Sequence, residues 1–176
     1  MPLFNPHDLR NILKSGQRVL GLDPGSKTIG VALTDVSLML ASPFSALKRR
    51  KLGENAQELR QIMQQEEVGG LVVGLPLSLD GSFGPAARAA SDWATALAER
   101  LDLPACVWDE RLSSTAVNRF LIQEADMTRG RRAKVVDRMA AAYMLQGWLD
   151  ATSPAIAETG NVRSVRSESK VAQSGE

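Results

Sequence analysis

Among 176 residues there is one cysteine, one histidine and only 5% aromatic side chains. No apolar run approaches the ~18 residues of a membrane-spanning helix. The single cysteine, Cys106, rules out an intramolecular disulfide, suits a reducing compartment and reads as a buried structural thiol. The single histidine, His7, lies in a polar lead ahead of the first strand-like segment. That position argues against a serine–histidine triad, a cysteine–histidine pair and a histidine-rich zinc site. The N-terminus lacks the charged and apolar regions of a signal peptide, so a soluble, cytoplasmic protein is expected. Charge of one sign is also missing. Lys plus Arg is 21 against 20 for Asp plus Glu, a net +1, so local clusters and not an overall field must decide any affinity for nucleic acid.

What is present fits one globular domain: 44% hydrophobic and 23% charged residues. A chain of this size buries roughly 70% of its unfolded surface without metal or disulfide staples, so a bound metal is expected to serve chemistry. Strand-like apolar runs occupy residues 18–23, 29–35 and 38–47, and Pro24 and Gly25 mark a tight turn after the first. A hairpin or meander therefore opens the fold. Helical spacing of Leu59, Ile62 and Met63 predicts a helix over 53–67. The unbroken run 70–75 predicts a strand buried on both faces, followed by a Gly- and Pro-marked loop over 76–85. Helix 86–101, strand 103–110, helix 114–124, a basic loop 128–134 and helix 135–150 complete an α/β fold with a mixed sheet. Residues 1–16 read as a lead, 17–150 as the domain and 151–176 as a flexible tail rich in small polar residues.

Three carboxylates stand where solubility does not explain them. Asp23 ends the first strand and Glu110 the last, and parallel neighbouring strands would bring both to one end of the sheet. Asp137 falls in the first turn of helix 135–150, whose Ala140, Ala141 and Met144 mark an apolar face. Each taken alone has a plainer reading: a turn residue, an ion pair with Arg111, a favourable charge at a helix N-terminus. Together in a partly desolvated place they need cations, and a pair of Mg2+ or Mn2+ ions suits oxygen ligands and hydrolysis of a phosphodiester by water. Asp35 and Asp109 are further carboxylates able to support such ligands.

Four segments carry a resemblance: residues 20–32 (LGLDPGSKTIGVA), 72–81 (VVGLPLSLDG), 109–114 (DERLSS) and 134–141 (KVVDRMAA). In this order they resemble the YqgF family, also called RuvX, over about residues 18–150. The resemblance implies an RNase H-like fold with a mixed five-stranded sheet flanked by helices. It also implies that Asp23, Glu110 and Asp137 are the catalytic metal ligands. That family resembles the RuvC resolvases, which cut four-way DNA junctions, and is associated with maturation of the 5′ end of pre-16S rRNA. Its members often carry an uncharged or acidic residue where this chain has Arg138. The expected activity is a metal-dependent nuclease in rRNA processing, with a Holliday junction resolvase as the alternative. A homodimer suits the paired cuts of the latter.

Nucleic acid requires cations near those acids. Arg129, Arg131, Arg132 and Lys134 precede Asp137, Lys27 follows Asp23, and Arg111 follows Glu110; all six are candidate phosphate contacts. A second cluster, Lys48, Arg49, Arg50 and Lys51, reads equally well as a solvated charge run. Phe83 is placed either to stack on a base or to tuck into its turn, and Trp93, Trp108 and Trp148 are assigned to the core. Two rivals remain. Residues 21–28 (GLDPGSKT) nearly spell a P-loop but carry Ser26 where glycine is required, and actin-like ATPases need a second domain. A noncatalytic RNA-binding module would keep the basic face without using the acids.

Overall fold

In the computed structural model of the protein, residues 2–76, 83–109 and 129–154 are described, without the side chains of 129–137. The polar lead contains a helix, α1 (Pro6–Ile12), that the sequence reading leaves out. Asn5 caps it by accepting the His7 backbone N–H at 3.0 Å, and Pro6 supplies the preset backbone of a first turn. Seven residues make no stable helix alone; burial of Leu9, fully enclosed, holds it.

Strands β1 (Arg18–Pro24), β2 (Thr28–Thr34) and β3 (Ala41–Lys48) form the expected antiparallel meander. The chain continues through α2 (Leu52–Glu66), β4 (Val68–Leu75), α3 (Pro85–Leu101), β5 (Ala105–Asp109) and α4 (Arg129–Ala151). The five strands lie in the order β3-β2-β1-β4-β5, with β4 parallel to both β1 and β5. This mixed sheet with helices on both faces is the RNase H-like architecture. β4 is enclosed along its whole length, which explains its unbroken apolar sequence.

The sheet separates two cores. Leu20, Leu22, Ile29, Leu71, Val73 and Ala105 pack with α2 and α3 on one face, and Val19, Ala32, Val72 and Cys106 pack with α1 and α4 on the other. Trp148 is fully buried in the second core, as expected, whereas Trp93 and Trp108 only flank theirs.

Three expectations are corrected. β1 and β5 are not neighbours: β4 lies between them, an order set by the crossover connections and invisible to local patterning. The segment expected as a basic loop is helix from Arg129, because a single Gly130 among good helix formers does not stop one. Residues 21–28 join two strands, not a strand to a helix, so the P-loop reading fails on topology as well as on Ser26. The expected helix over 114–124, and the tail beyond residue 154, lie outside the described residues.

Candidate active site at the carboxyl end of the sheet

Because β1, β4 and β5 are parallel, their C-terminal ends share one end of the sheet. Asp23 pairs with Gly30 on β2; on the other side, the Leu22–Val73 pair sets Gly74 level with Asp23, and Gly74 pairs with Trp108. The row across the sheet is thus Gly30, Asp23, Gly74, Trp108. Leu22 and Val73 belong to the core under α2 and α3, so strand alternation puts this row on the α4 face. Neither neighbouring strand carries a Cβ at this level, so no side chain stands beside Asp23 within the sheet. Glycine inside a strand is the signal for a close approach of another group, which the apolar patterning of β2 and β4 does not mark.

Asp23 is half-buried, and among the described residues its carboxylate has no hydrogen-bond or ion-pair partner. A partly desolvated carboxylate without a protein donor beside it suits a hard cation, and an all-carboxylate donor set is the oxygen chemistry that Mg2+ and Mn2+ prefer. Glu110 and Arg111 lie outside the described residues.

Helix α4 runs from this end of the sheet to the other. Near its far end the Gln146 carboxamide accepts the Ala41 N–H at 2.8 Å and donates to the Met39 carbonyl at 3.1 Å, while the Trp148 indole donates to the Pro6 carbonyl at 3.1 Å. Midway the helix meets β1 at Gly21, where an added Cβ would come within 2.9 Å of the Leu145 Cβ. From Leu145 back to Asp137 is about 12 Å of helix at 1.5 Å per residue, in the direction of Asp23. Asp137 precedes Ala141 by four residues along this helix, and Ala141, Met144 and Trp148 are buried. It belongs to the third turn of α4, not the first, so a favourable charge at a helix N-terminus no longer explains it. Arg129, Arg131, Arg132 and Lys134 occupy the first two turns of this helix, not a loop.

Other candidates sort by position. Lys27 is exposed in the β1–β2 turn, next to Asp23 along the chain. Asp109 closes β5 at the same end of the sheet. Asp35 is corrected: β2 runs antiparallel to β1, which carries Asp35 to the opposite end. There its carboxylate accepts Ser37 Oγ at 2.6 Å and the Met39 and Leu40 N–H groups at 2.8 and 3.1 Å, and so builds the β2–β3 turn. His7 is at that far end too, since Phe4 bonds to Ala105 where β5 begins. Burial pushes the Cys106 thiol up to about 12, which disqualifies it as a nucleophile. Phe83 is 52% exposed, not tucked, and lines an open cleft of about 390 Å³ with Arg88 and Asp92 at the start of α3. The Trp108 indole N–H is buried without an acceptor among the described residues, on the row of Asp23.

Known proteins resemble this chain closely. The profile of the RuvX family, described as Holliday junction resolvase, matches residues 17–151. A protein of Gluconobacter oxydans is 82% identical over 88% of this chain and 96% of its own length, and one of Gluconacetobacter diazotrophicus is 67% identical over 87% and 99%. Both carry the name "Putative pre-16S rRNA nuclease". Among solved structures, Thermus thermophilus RuvC in complex with a Holliday junction substrate aligns at 14% identity over 78% of this chain and 96% of that one, with a TM-score of 0.46. The profile match and the two sequence identities place the chain in the RuvX family, whose members are phosphodiester-cleaving nucleases that act on nucleic acid.

Proposed function

We propose that this chain hydrolyses phosphodiester bonds in processing the 5′ end of pre-16S rRNA, with Asp23, Glu110 and Asp137 holding two Mg2+ or Mn2+ ions. The setting of Asp23 carries this reading: a half-buried carboxylate without a described partner, flanked by Gly30 and Gly74, at the end of the sheet toward which α4 brings Asp137. Bound there, the ions supply an activated water and charge to stabilise the leaving oxygen. The protein's own part is placement. β1 fixes Asp23, α4 clamped on Gly21 fixes the approach of Asp137, and the glycines keep side chains out of the phosphate's way. Lys27 and Arg111, together with Arg129, Arg131, Arg132 and Lys134 on the first turns of α4, supply cations for the flanking phosphates.

The 82% identical relative's name favours the rRNA substrate. The family description favours branched DNA, and in that case a homodimer makes the paired cuts. The domain of residues 17–150 works in the cytoplasm in either case. The test is cleavage of a labelled precursor-rRNA leader, a single-stranded RNA and a four-way DNA junction with Mg2+, Mn2+ or chelator, beside Asp23→Asn. Metal-dependent cutting that Asp23→Asn abolishes supports the reading, and the preferred substrate decides between RNA and DNA. Binding without cutting of any substrate overturns it in favour of an RNA-binding module.

A further inference from the structure

The basic run at residues 48–51 looks uniform in sequence, but the fold gives its members different work. Arg49 is structural. Its guanidinium donates to the Gly25 carbonyl at 2.7 Å and lies 5.6 Å over the Trp93 ring, and its backbone N–H donates to the Lys27 carbonyl at 2.9 Å. Asn55, fully buried, clamps the same connection by accepting the Arg50 N–H at 2.8 Å and donating to the Lys48 carbonyl at 3.0 Å. Lys48, Arg50 and Lys51 are left exposed, and none forms an ion pair with any described residue. Glu54 and Glu58, in the first turns of α2, pair with none of them; Glu58 accepts from Asn55 instead.

The position of these cations links them to the site. Lys48 pairs with Thr28, at the end of the sheet where Asp23 lies. Ala46 pairs with Gly30 and Gly30 with Asp23, so Lys48, two residues past Ala46, shares the face of Asp23. Ideal sheet spacings put the two Cα atoms about 12 Å apart. At one phosphate per ~3.4 Å of strand, this is a reach of three or four phosphates. Lys48 on the face of the proposed reacting carboxylate, with Arg50 and Lys51 following it at the same end of the sheet, makes a group of exposed cations without a counter-ion among the described residues, which suits a polyanion that extends outward from Asp23.

We propose that Lys48, Arg50 and Lys51 form a second backbone-binding strip, over which the substrate strand leaves Asp23 across β2 and β3. The strip contacts phosphates without reading sequence, and Arg49 presents it without belonging to it. The proposal rests on the nuclease reading above.

The test measures binding of a labelled single-stranded RNA to the full chain, in chelator, across a salt series. Each lost phosphate contact lowers the slope of log affinity against log salt by about 0.7, so Lys48→Ala/Arg50→Ala/Lys51→Ala is expected to lower it by about 2. Between 50 and 200 mM salt, wild-type affinity then falls about 15–20-fold further than that of the variant. Lys14→Ala/Arg60→Ala, which removes two exposed cations elsewhere, is expected to leave the slope unchanged, and Arg49→Ala to lower the melting temperature. A normal melting temperature for the triple variant establishes that it folds. An unchanged slope in the folded triple variant overturns the strip and leaves the nuclease reading intact. Loss of binding to phosphatidylserine vesicles with RNA binding retained also overturns it, in favour of a membrane surface. Failure of the wild-type chain to bind RNA or branched DNA overturns both readings.

Discussion

Replacing Gly21 by alanine tests whether the contact between α4 and β1 sets the site. The new Cβ would lie 2.9 Å from the Leu145 Cβ, 3.0 Å from its Cδ2 and 3.2 Å from its Cγ. The first of these atoms is the root of the side chain, so no rotamer change relieves the clash and the helix must retreat by some tenths of an ångström. Overpacking of this kind costs about 1–3 kcal/mol. Removing a glycine from a strand returns about 0.5–1 kcal/mol. The net destabilisation is about 1–2 kcal/mol, or a melting temperature lower by about 2–8 °C for a chain of this size. Leu145→Ala alone should cost about 2–5 kcal/mol through the cavity it leaves. In the double variant the alanine at 21 occupies part of that cavity, so the two costs should fall short of additivity by about 1 kcal/mol or more. Urea denaturation of the four proteins measures this coupling. Since α4 also carries Asp137, cleavage by Gly21→Ala at a temperature where it is folded should fall about 10–100-fold. Full additivity, or a Gly21→Ala protein as stable as wild type, would refute the close contact and the clamp built on it.

Three further outcomes follow from the same structure. Asp23→Asn should abolish cleavage while leaving the melting temperature at or above that of wild type, because the carboxylate it removes has no described partner to lose; a marked loss of stability would show a structural role instead. Asp35 is held below the usual carboxylate range first by the Ser37 hydroxyl and then by backbone N–H groups, chiefly that of Leu40. A lowered folded value means that its contribution is complete above the unfolded pKa of about 3.9 and disappears as pH falls through the folded value, so the stability gap between wild type and Asp35→Ala should close under acid. Cys106, with its thiol at about 12, should resist iodoacetamide at pH 8 and react once the chain is unfolded in denaturant; rapid labelling of the folded protein would contradict its burial.

Legibility in the sequence followed how local each cause is. β4 is enclosed on both faces and its residues say so directly, and α2 and α3 show themselves through a one-sided apolar stripe. The acids were singled out one by one, but their arrangement was not readable: that β4 separates β1 from β5 depends on crossovers, and that Asp35 faces away from the site depends on the reversal of β2. α1 carries its own marks, Asn5 and Pro6, but Leu9 is the one buried residue of this short polar helix, too little for a periodic apolar pattern. The start of α4 was placed late because Gly130 reads as a break, although neighbouring residues outweigh it. Nothing in a run of four cations shows that Arg49 turns inward to Gly25 and Trp93 while the others stay free; that division exists only once β3 and α3 are in place.

The short N-terminal helix bears on how the protein is handled. Its Arg10 guanidinium lies 5.9 Å over Trp148, donates to the Leu149 carbonyl and Thr152 hydroxyl at the end of α4, and donates to the Leu38 carbonyl beyond β2. One side chain thus ties the first helix to the last and to the β2–β3 turn, and Leu9 closes the core that Trp148 fills. A gene fragment cut to the boundaries of the family match, residues 17–151, would discard this clasp and bare an apolar patch over Val19, Trp148 and Leu149. The segment that identifies the family is therefore smaller than the unit to express: purification handles and truncations should spare everything from Leu3 onward.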